Sequence, residues 1–330
     1  MRGEGRIDEN KGTKPFAHPA RSLGHSPLPG AGCGHQSPGI RSLPRLVRDT
    51  LAVTEATCAI SAYPLPHASS RSLPARGRPV TVISANLWHD WPRCRFLPQR
   101  LESFARLVEA EKADILLLQE VARLERIRAD QWLAERLGMA SFYCKANGHE
   151  RGIGFEEGVA VLSRFPLSSP RVRRLGKGAR SIPFVRRIAL GCAVQTHFGR
   201  LLVFSVHLGL LARSNARQLA ELRFWVREVA GSRSAVVGGD FNAAENSPQI
   251  LSARAAWIDA FRHFHPKADG TTHEIRLPWG GRIRPRRLDY IFLHRGREGR
   301  WVALEARHVQ SPKGPRSDHS AVLLRLDRRA

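Results

Sequence analysis

Cysteine is scarce and scattered in this chain. Cys33, Cys58, Cys94, Cys144 and Cys192 are odd in number, widely spaced and never arranged as C-x-x-C. That argues against a disulfide framework and a thiolate zinc cage, and a reducing, cytoplasmic compartment is expected. Long apolar runs are missing too, since no stretch approaches the roughly 20 residues of a membrane-spanning helix. The early residues are charged and no clean apolar core follows them, so the start lacks the shape of a signal peptide. Internal repeats are absent. Acidic residues are the last shortage: 29 Asp and Glu face 53 Lys and Arg, for a formal net charge of +24. Such an excess favours an anionic partner, whether nucleic acid, a phosphorylated small molecule or an anionic membrane surface. Arginine supplies 46 of the 53 basic residues, a bias that GC-rich coding also produces.

What is present is enough for a substantial core. The 330 residues, 42% of them hydrophobic, fit one large domain plus a tail. Residues 1–78 are rich in Pro, Gly, Ser, His and Arg without a sustained period, and are expected to be a disordered basic tail. Either a nucleic-acid-binding arm or a passive extension fits that composition. The folded domain is expected over residues 79–330, with its own net charge of +18.

Within it, Val80–Ala85, Asp114–Val121, Glu157–Pro166, Ala235–Asp240, Leu288–His294, Trp301–Val309 and Ser320–Leu326 read as strands. Arg187–Gln195 and Leu201–His207 read as a hairpin around His197–Arg200. Helices are expected over Arg100–Glu111, Ala129–Leu137 and Ser214–Val229, and a Gly-, Pro- and Arg-rich loop over Thr271–Arg287. Strict βαβ alternation is lacking. The expected fold is therefore α/β, with two mixed, mainly antiparallel sheets packed face to face and helices outside.

The stretch Ala235-Val236-Val237-Gly238-Gly239-Asp240-Phe241-Asn242-Ala243 is the most informative. A buried strand stops at glycines, then an acid and an amide stand two apart. If the backbone stays extended, Asp240 and Asn242 point the same way and can serve a hard cation's water or a phosphate. An Asx-turn closing the strand is the alternative. Polar groups recur where other strands stop: Asn86, Glu120, His207, Asp289, and Asp318 with His319. Such repetition points to one site at one rim of a sheet sandwich.

These pieces resemble the endonuclease/exonuclease/phosphatase superfamily, the DNase I-like fold. They are Ser84-Ala85-Asn86-Leu87, Leu117-Leu118-Gln119-Glu120-Val121, Glu157 through Pro166, Ser205-Val206-His207-Leu208, Gly238 through Ala243, Leu288-Asp289-Tyr290-Ile291-Phe292 and Ser317-Asp318-His319-Ser320-Ala321. They follow the family's order from Val80 to the C-terminus. The resemblance implies a four-layered α/β sandwich and a Mg²⁺-dependent (or Mn²⁺-dependent) phosphoester hydrolase.

It makes Glu120 the main metal carboxylate, with Asn86 and Asp318 beside it. Asp240 and Asn242 position the attacking water and a phosphate oxygen. His319 is the catalytic histidine, oriented by Asp289. His207 is the second histidine, with Glu157 as its partner, and Arg187 reaches phosphate. Oxygen ligands suit Mg²⁺ or Mn²⁺ better than zinc.

The family's fold does not name a substrate. A nuclease or phosphodiesterase acting as a monomer is expected, with nucleic acid favoured, because Arg282, Arg284, Arg286 and Arg287 cluster beside Asp289. The alternative is a phospholipid or phosphoinositide hydrolase, sphingomyelinase-like, using Leu277-Pro278-Trp279 at a membrane. The apurinic-site branch of the family carries a Tyr-x-Pro-Asn motif where this chain has Phe204–Leu208, which disfavours base-excision repair. Trp88, Trp91, Trp279 and Trp301 stack on substrate or pack.

Overall fold

The computed structural model describes residues 59–64, 77–176, 185–276, 282–298, 300–311 and 314–329. Most of the expected tail and the Leu277–Trp279 segment lie outside the described residues. In chain order the elements begin β1 (Ile60–Tyr63), β2 (Val80–Asn86), α1 (Leu97–Ala110), β3 (Ile115–Leu124), β4 (Ile127–Arg128), α2 (Ala129–Leu137) and β5 (Ala140–His149). Next come α3 (Glu150–Ile153), β6 (Phe155–Ser163), β7 (Leu167–Leu175), β8 (Arg187–Thr196), β9 (Gly199–His207), α4 (Ala212–Ala230) and β10 (Ala235–Asp240). The chain continues through α5 (Pro248–Ala256), β11 (Ile258–Asp259), α6 (Ala260–Phe264), β12 (His273–Arg276), β13 (Arg282–Arg286), β14 (Asp289–His294), β15 (Arg300–Val309) and β16 (Ala321–Arg329).

One sheet runs β1-β5-β6-β3-β2-β16-β15, with β4 on β3, and the other runs β11-β14-β10-β9-β8-β7. The strand period explains how they stack. Leu116 and Leu118 face one way, against Leu101, Ala105 and Val108 of α1 and Leu133 of α2. Ile115 and Leu117 face the other way and meet Ile188, Leu190, Val203, Val236 and Ile291 of the second sheet. The outer face of that sheet, with Phe204, Val206 and Val237, is covered by Leu219, Leu222 and Val226 of α4 and Ile250 of α5. The four layers are helix, sheet, sheet, helix.

Two features concentrate chemistry at one rim. Each sheet has a single parallel pair, β2 with β3 and β10 with β9, bridged by α1 and α4. The C-terminal ends of these strands therefore coincide, with Asn86 opposite Gln119 and Asp240 opposite His207. Antiparallel neighbours begin at the same rim, so Asp289 stands opposite Asp240, and β16 starts just after Asp318 and His319.

The glycines of the Asp240 stretch make the close approach feasible. A Cβ on Gly239 would sit 1.9 Å from the Val206 carbonyl oxygen, and one on Gly238 would sit 2.7 Å from Leu117 Cδ1 in the facing sheet.

The structure corrects three expectations. Thr271–Arg287 is not simply a loop, for it contains β12 and β13, paired with each other. β3 continues past Val121 to Leu124, so Glu120 lies within a strand instead of at its end. Ile60–Tyr63, upstream of the expected domain start, pairs along β5.

Candidate active site

A kink in β3 presents Glu120. The register with β6 shifts between Leu118 and Val121, and Glu120 has φ +50°, a left-handed conformation rarely adopted by non-glycine residues. The bulge lets neighbours serve different layers. Gln119 turns inward and donates to Ser205 Oγ at 3.0 Å, tying the two sheets together. Glu120 is freed toward the rim, where its Oε2 lies 3.5 Å from His89 Nε2.

Asn86, buried at the end of β2, donates from Nδ2 to Glu120 Oε1 at 3.0 Å and to Asp240 Oδ2 at 3.1 Å. Its Oδ1 accepts from the Trp88 amide at 2.9 Å. Asn86 is thus a bridge between carboxylates of opposite sheets, and its oxygen accepts one backbone hydrogen bond. Arg100 supports this turn by donating to the Leu87 carbonyl at 2.8 Å.

Asp240 and Asn242 reach the site by a different route from the extended one expected. Asn242 has φ +48°, and its amide donates to Asp240 Oδ1 at 2.8 Å. The Asx-turn and the expected Asp240–Asn242 pair are the same feature. Asn242 Nδ2 donates to the Leu208 carbonyl at 3.0 Å, and Asp240 Oδ2 faces His207 Nε2 at 3.6 Å and His319 Nε2 at 4.0 Å.

Two histidines flank this carboxylate in opposite electrostatic settings. His319 Nδ1 donates to Asp289 Oδ2 at 2.7 Å. Burial works against a charged His319, but Asp289, then Asp240 and Asp318, overcome it and hold the ring at about 10. His207 is driven well below the usual histidine range by burial and by Arg187, whose Nη1 is 3.1 Å from each of its ring nitrogens. One imidazole is a cation at neutral pH and the other is neutral. Asp240, pushed up to about 7 by burial and by Asp289, lies between them and can exchange a proton near neutrality.

Glu157 does not take its expected place behind His207. It accepts from Asn147 Nδ2 at 2.6 Å and lies 4.0 Å from His89 Nε2, on the Glu120 side. Burial raises its pKa. Asp318 has His273 Nε2 3.8 Å away, and burial raises it as well.

The donor set fits a hard divalent cation. Glu120 adds to the upward push on both Asp240 and Asp318, so the acids repel one another across the rim. Asp289 Oδ1 is buried without a partner. Carboxylate oxygens crowded in this way are relieved by a divalent ion with oxygen preference.

Glu120, Arg187, His207, Asp240, Asn242 and His319 share one cleft of about 290 Å³, so residues far apart in sequence converge as expected. Arg284 and Arg286 line it as well and are exposed. Arg287 does not join them, because it is buried and paired with Asp259 at 2.6 Å and Glu245 at 3.0 Å. Trp301 packs in the core, and Trp91 is exposed and stacked on Phe155.

His89, Asn147, His273 and Ser317 belong to the site's surroundings but had no role in the sequence reading. Ser317 lay inside a recognised motif, and its Oγ donates to the Asn86 carbonyl at 2.7 Å. The other three had no local signal, since their partners lie on distant strands.

The family model for "Endonuclease/Exonuclease/phosphatase family" matches residues 83–319. No curated protein matches. Among solved structures, a family protein from Leptotrichia buccalis is similar with TM-score 0.61 and 17% identity, over 75% of this chain and 99% of that one. The human Nocturnin catalytic domain with bound sulfate anion is similar with TM-score 0.60 and 19% identity, over 76% and 94%. A mannosyl-6-phosphatase from Bacteroides thetaiotaomicron is similar with TM-score 0.57 and 18% identity, over 75% and 99%.

Proposed function

The chain belongs to the endonuclease/exonuclease/phosphatase family, and from that premise we propose that it is a Mg²⁺- or Mn²⁺-dependent phosphodiesterase with nucleic acid as its favoured substrate. The observation that carries the reading is the convergence of Glu120, Asp240 and His319 on one cleft. A divalent cation at Glu120 and Asp318 would neutralise the phosphate charge that repels a nucleophile.

The chain's own groups divide the remaining work. Asp240 takes the proton of the attacking water, and Asn242 orients that water or a phosphate oxygen. Cationic His319, steadied by Asp289, faces a phosphate oxygen and can donate a proton. Neutral His207, 3.6 Å from the same Asp240 oxygen, accepts or relays one. Each acid–base contact of this kind contributes roughly 10²–10⁴-fold. Arg187, Arg284 and Arg286 supply guanidinium forks suited to a phosphate backbone.

A second reading, a phospholipid hydrolase, has one observation in its favour. Leu210 lines the cleft yet is 67% exposed, and Leu211 beside it is 51% exposed. Such residues suit an apolar surface.

The test is a panel of plasmid DNA, RNA, sphingomyelin vesicles, inositol phosphates and bis-p-nitrophenyl phosphate, with Mg²⁺, Mn²⁺ or EDTA. Cation-dependent hydrolysis of nucleic acid, lost in His319→Ala and Asp240→Ala, is expected. Turnover of sphingomyelin alone would select the second reading. Full activity in either variant or in EDTA would overturn both.

A further inference from the structure

Besides the oxygen-rich centre, the described residues gather a nitrogen-rich set of metal-binding atoms. His273, Asp318 and His319 each offer one ligand atom within 4.8 Å of the others. β12 brings His273 there, because an isolated antiparallel bridge pairs its backbone with His319. The two ring centroids are 4.6 Å apart. His319 Nδ1 is committed to Asp289, which leaves its other ring nitrogen for the set. Metal-ligating histidines almost always have their other ring nitrogen held, by a carboxylate as here or by a carbonyl or water.

The set shares Asp318 with the proposed hard-cation centre but differs from it in donor chemistry. Mg²⁺ prefers oxygen and dehydrates reluctantly. Two imidazoles and one carboxylate suit Zn²⁺, which takes three protein ligands and keeps a fourth position open. Access needs no opening of the fold. His273 and Asp318 line a neighbouring cleft of about 710 Å³, while His273 and His319 line the 290 Å³ cleft.

We propose that His273, Asp318 and His319 bind a borderline transition-metal ion, Zn²⁺ in preference to Mg²⁺, and that the bound ion switches hydrolysis off. A ring nitrogen that holds a metal cannot carry a proton toward phosphate, so filling the set removes His319 from the reaction and draws Asp318 away from the hard cation. The silencing half rests on the roles proposed above for His319 and Asp318. The binding half rests on the geometry alone.

The full-length protein in saturating Mg²⁺ is titrated with Zn²⁺ by calorimetry and with Co²⁺ by visible absorption, beside His273→Ala and His273→Gln variants of unchanged circular dichroism. One equivalent of Co²⁺ is expected to give ligand-field bands in the wild type. Both variants are expected to lose about tenfold or more in Zn²⁺ affinity, as loss of a metal-site partner does. The Zn²⁺ concentration that halves phosphodiester hydrolysis should rise by the same factor, each protein being read against its own zinc-free rate. Bands and affinities indifferent to His273, or equal inhibition of all three proteins, would overturn the proposal. The absorption measurement needs no substrate, so a wrong hydrolase assignment, seen as no turnover at all, is told apart from a wrong metal site.

Discussion

His319 Nδ1 stands 2.7 Å from Asp289 Oδ2, although the two lie 30 residues apart in the chain. The acid begins β14 in one sheet, and the histidine precedes β16 in the other. The dyad therefore spans the sandwich, and its geometry is set by the packing of the two sheets. A further clamp holds the acid, whose backbone amide donates to Thr272 Oγ1 at 3.1 Å.

Asp289→Asn preserves the shape of the dyad and removes its charge. The largest of the causes that lift His319 to about 10 is lost, while the burial opposing it remains and only Asp240 and Asp318 still favour the charged ring. The histidine's pKa should fall steeply, and turnover should drop on the order of 10²–10⁴-fold with the circular dichroism retained. Steady-state kinetics and an NMR titration of the histidine resonances check both parts. An unchanged turnover would take the dyad out of the mechanism.

Two histidines should contribute to the stability of the metal-free protein with opposite dependence on pH. His319 is raised in the fold, so its contribution is fully present below about 6.5 and lost as pH rises through about 10. His308 behaves in the opposite sense. It stacks on Phe261 with centroids 4.0 Å apart, and burial, assisted by Arg287, lowers it to about 4. Its buried Nε2 has no partner. The unfolded chain takes up this proton first, so stability is present above about 6.5 and lost as pH falls toward 4. His308→Phe keeps the stack and removes the titration. Relative to wild type it should gain roughly 3 kcal/mol between pH 7 and pH 4, measured by urea unfolding. Parallel pH curves for the two proteins would refute the assignment.

The strands that carry the site were legible because they are buried apolar runs that stop at a polar residue. What escaped the sequence was how the backbone turns at those stops. Glu120 was visible after Leu116-Leu117-Leu118-Gln119, but the bulge that aims it depends on pairing with β6. Asn242 was visible, yet its left-handed turn replaced the extended geometry. The pairing of Glu157 with His207 is what the family resemblance implies, whereas Glu157 accepts from Asn147 on β5, a strand with too little apolar alternation to stand out in the sequence. β7, Leu167–Leu175, is an edge strand with mostly solvent-facing residues, and no core period marks it. His273 is hidden because the Gly- and Arg-rich composition around it reads as a loop, while β12 is fixed by pairing with β13 and by the bridge to His319, neither of which is local in sequence.

The two glycines before Asp240 should differ in how they tolerate a methyl group. On Gly239 the new Cβ would meet the Val206 carbonyl oxygen at 1.9 Å, a backbone atom held in the parallel ladder. On Gly238 the nearest atom is Leu117 Cδ1 at 2.7 Å, the end of a side chain that can rotate. Gly239→Ala is expected to cost more than about 4 kcal/mol or prevent folding, and Gly238→Ala about 1–3 kcal/mol. Thermal and urea melts give the order, and a reversed order would mean that the ladder yields more easily than the core.

Arg284 and Arg286 both lie on β13 and both line the cleft; Arg284 has φ +51° and the β12–β13 register shifts beside it, so an irregularity in the strand, not its regular alternation, brings both there. Neither is buried, so their charges stay available to a polyanion and are screened by salt. If they grip a phosphate backbone, Arg284→Ala and Arg286→Ala should each weaken DNA or RNA binding about equally across sequences. Each should also lower the slope of log affinity against log salt by about 1. Arg287→Ala should leave that slope alone and destabilise the fold instead, because buried Asp259 would lose its closest cation, while Glu245 keeps Arg262. Fluorescence anisotropy at several salt concentrations separates these outcomes. An unchanged slope in both exposed-arginine variants would mean that nucleic acid does not cross β13, and the phospholipid reading would then gain ground.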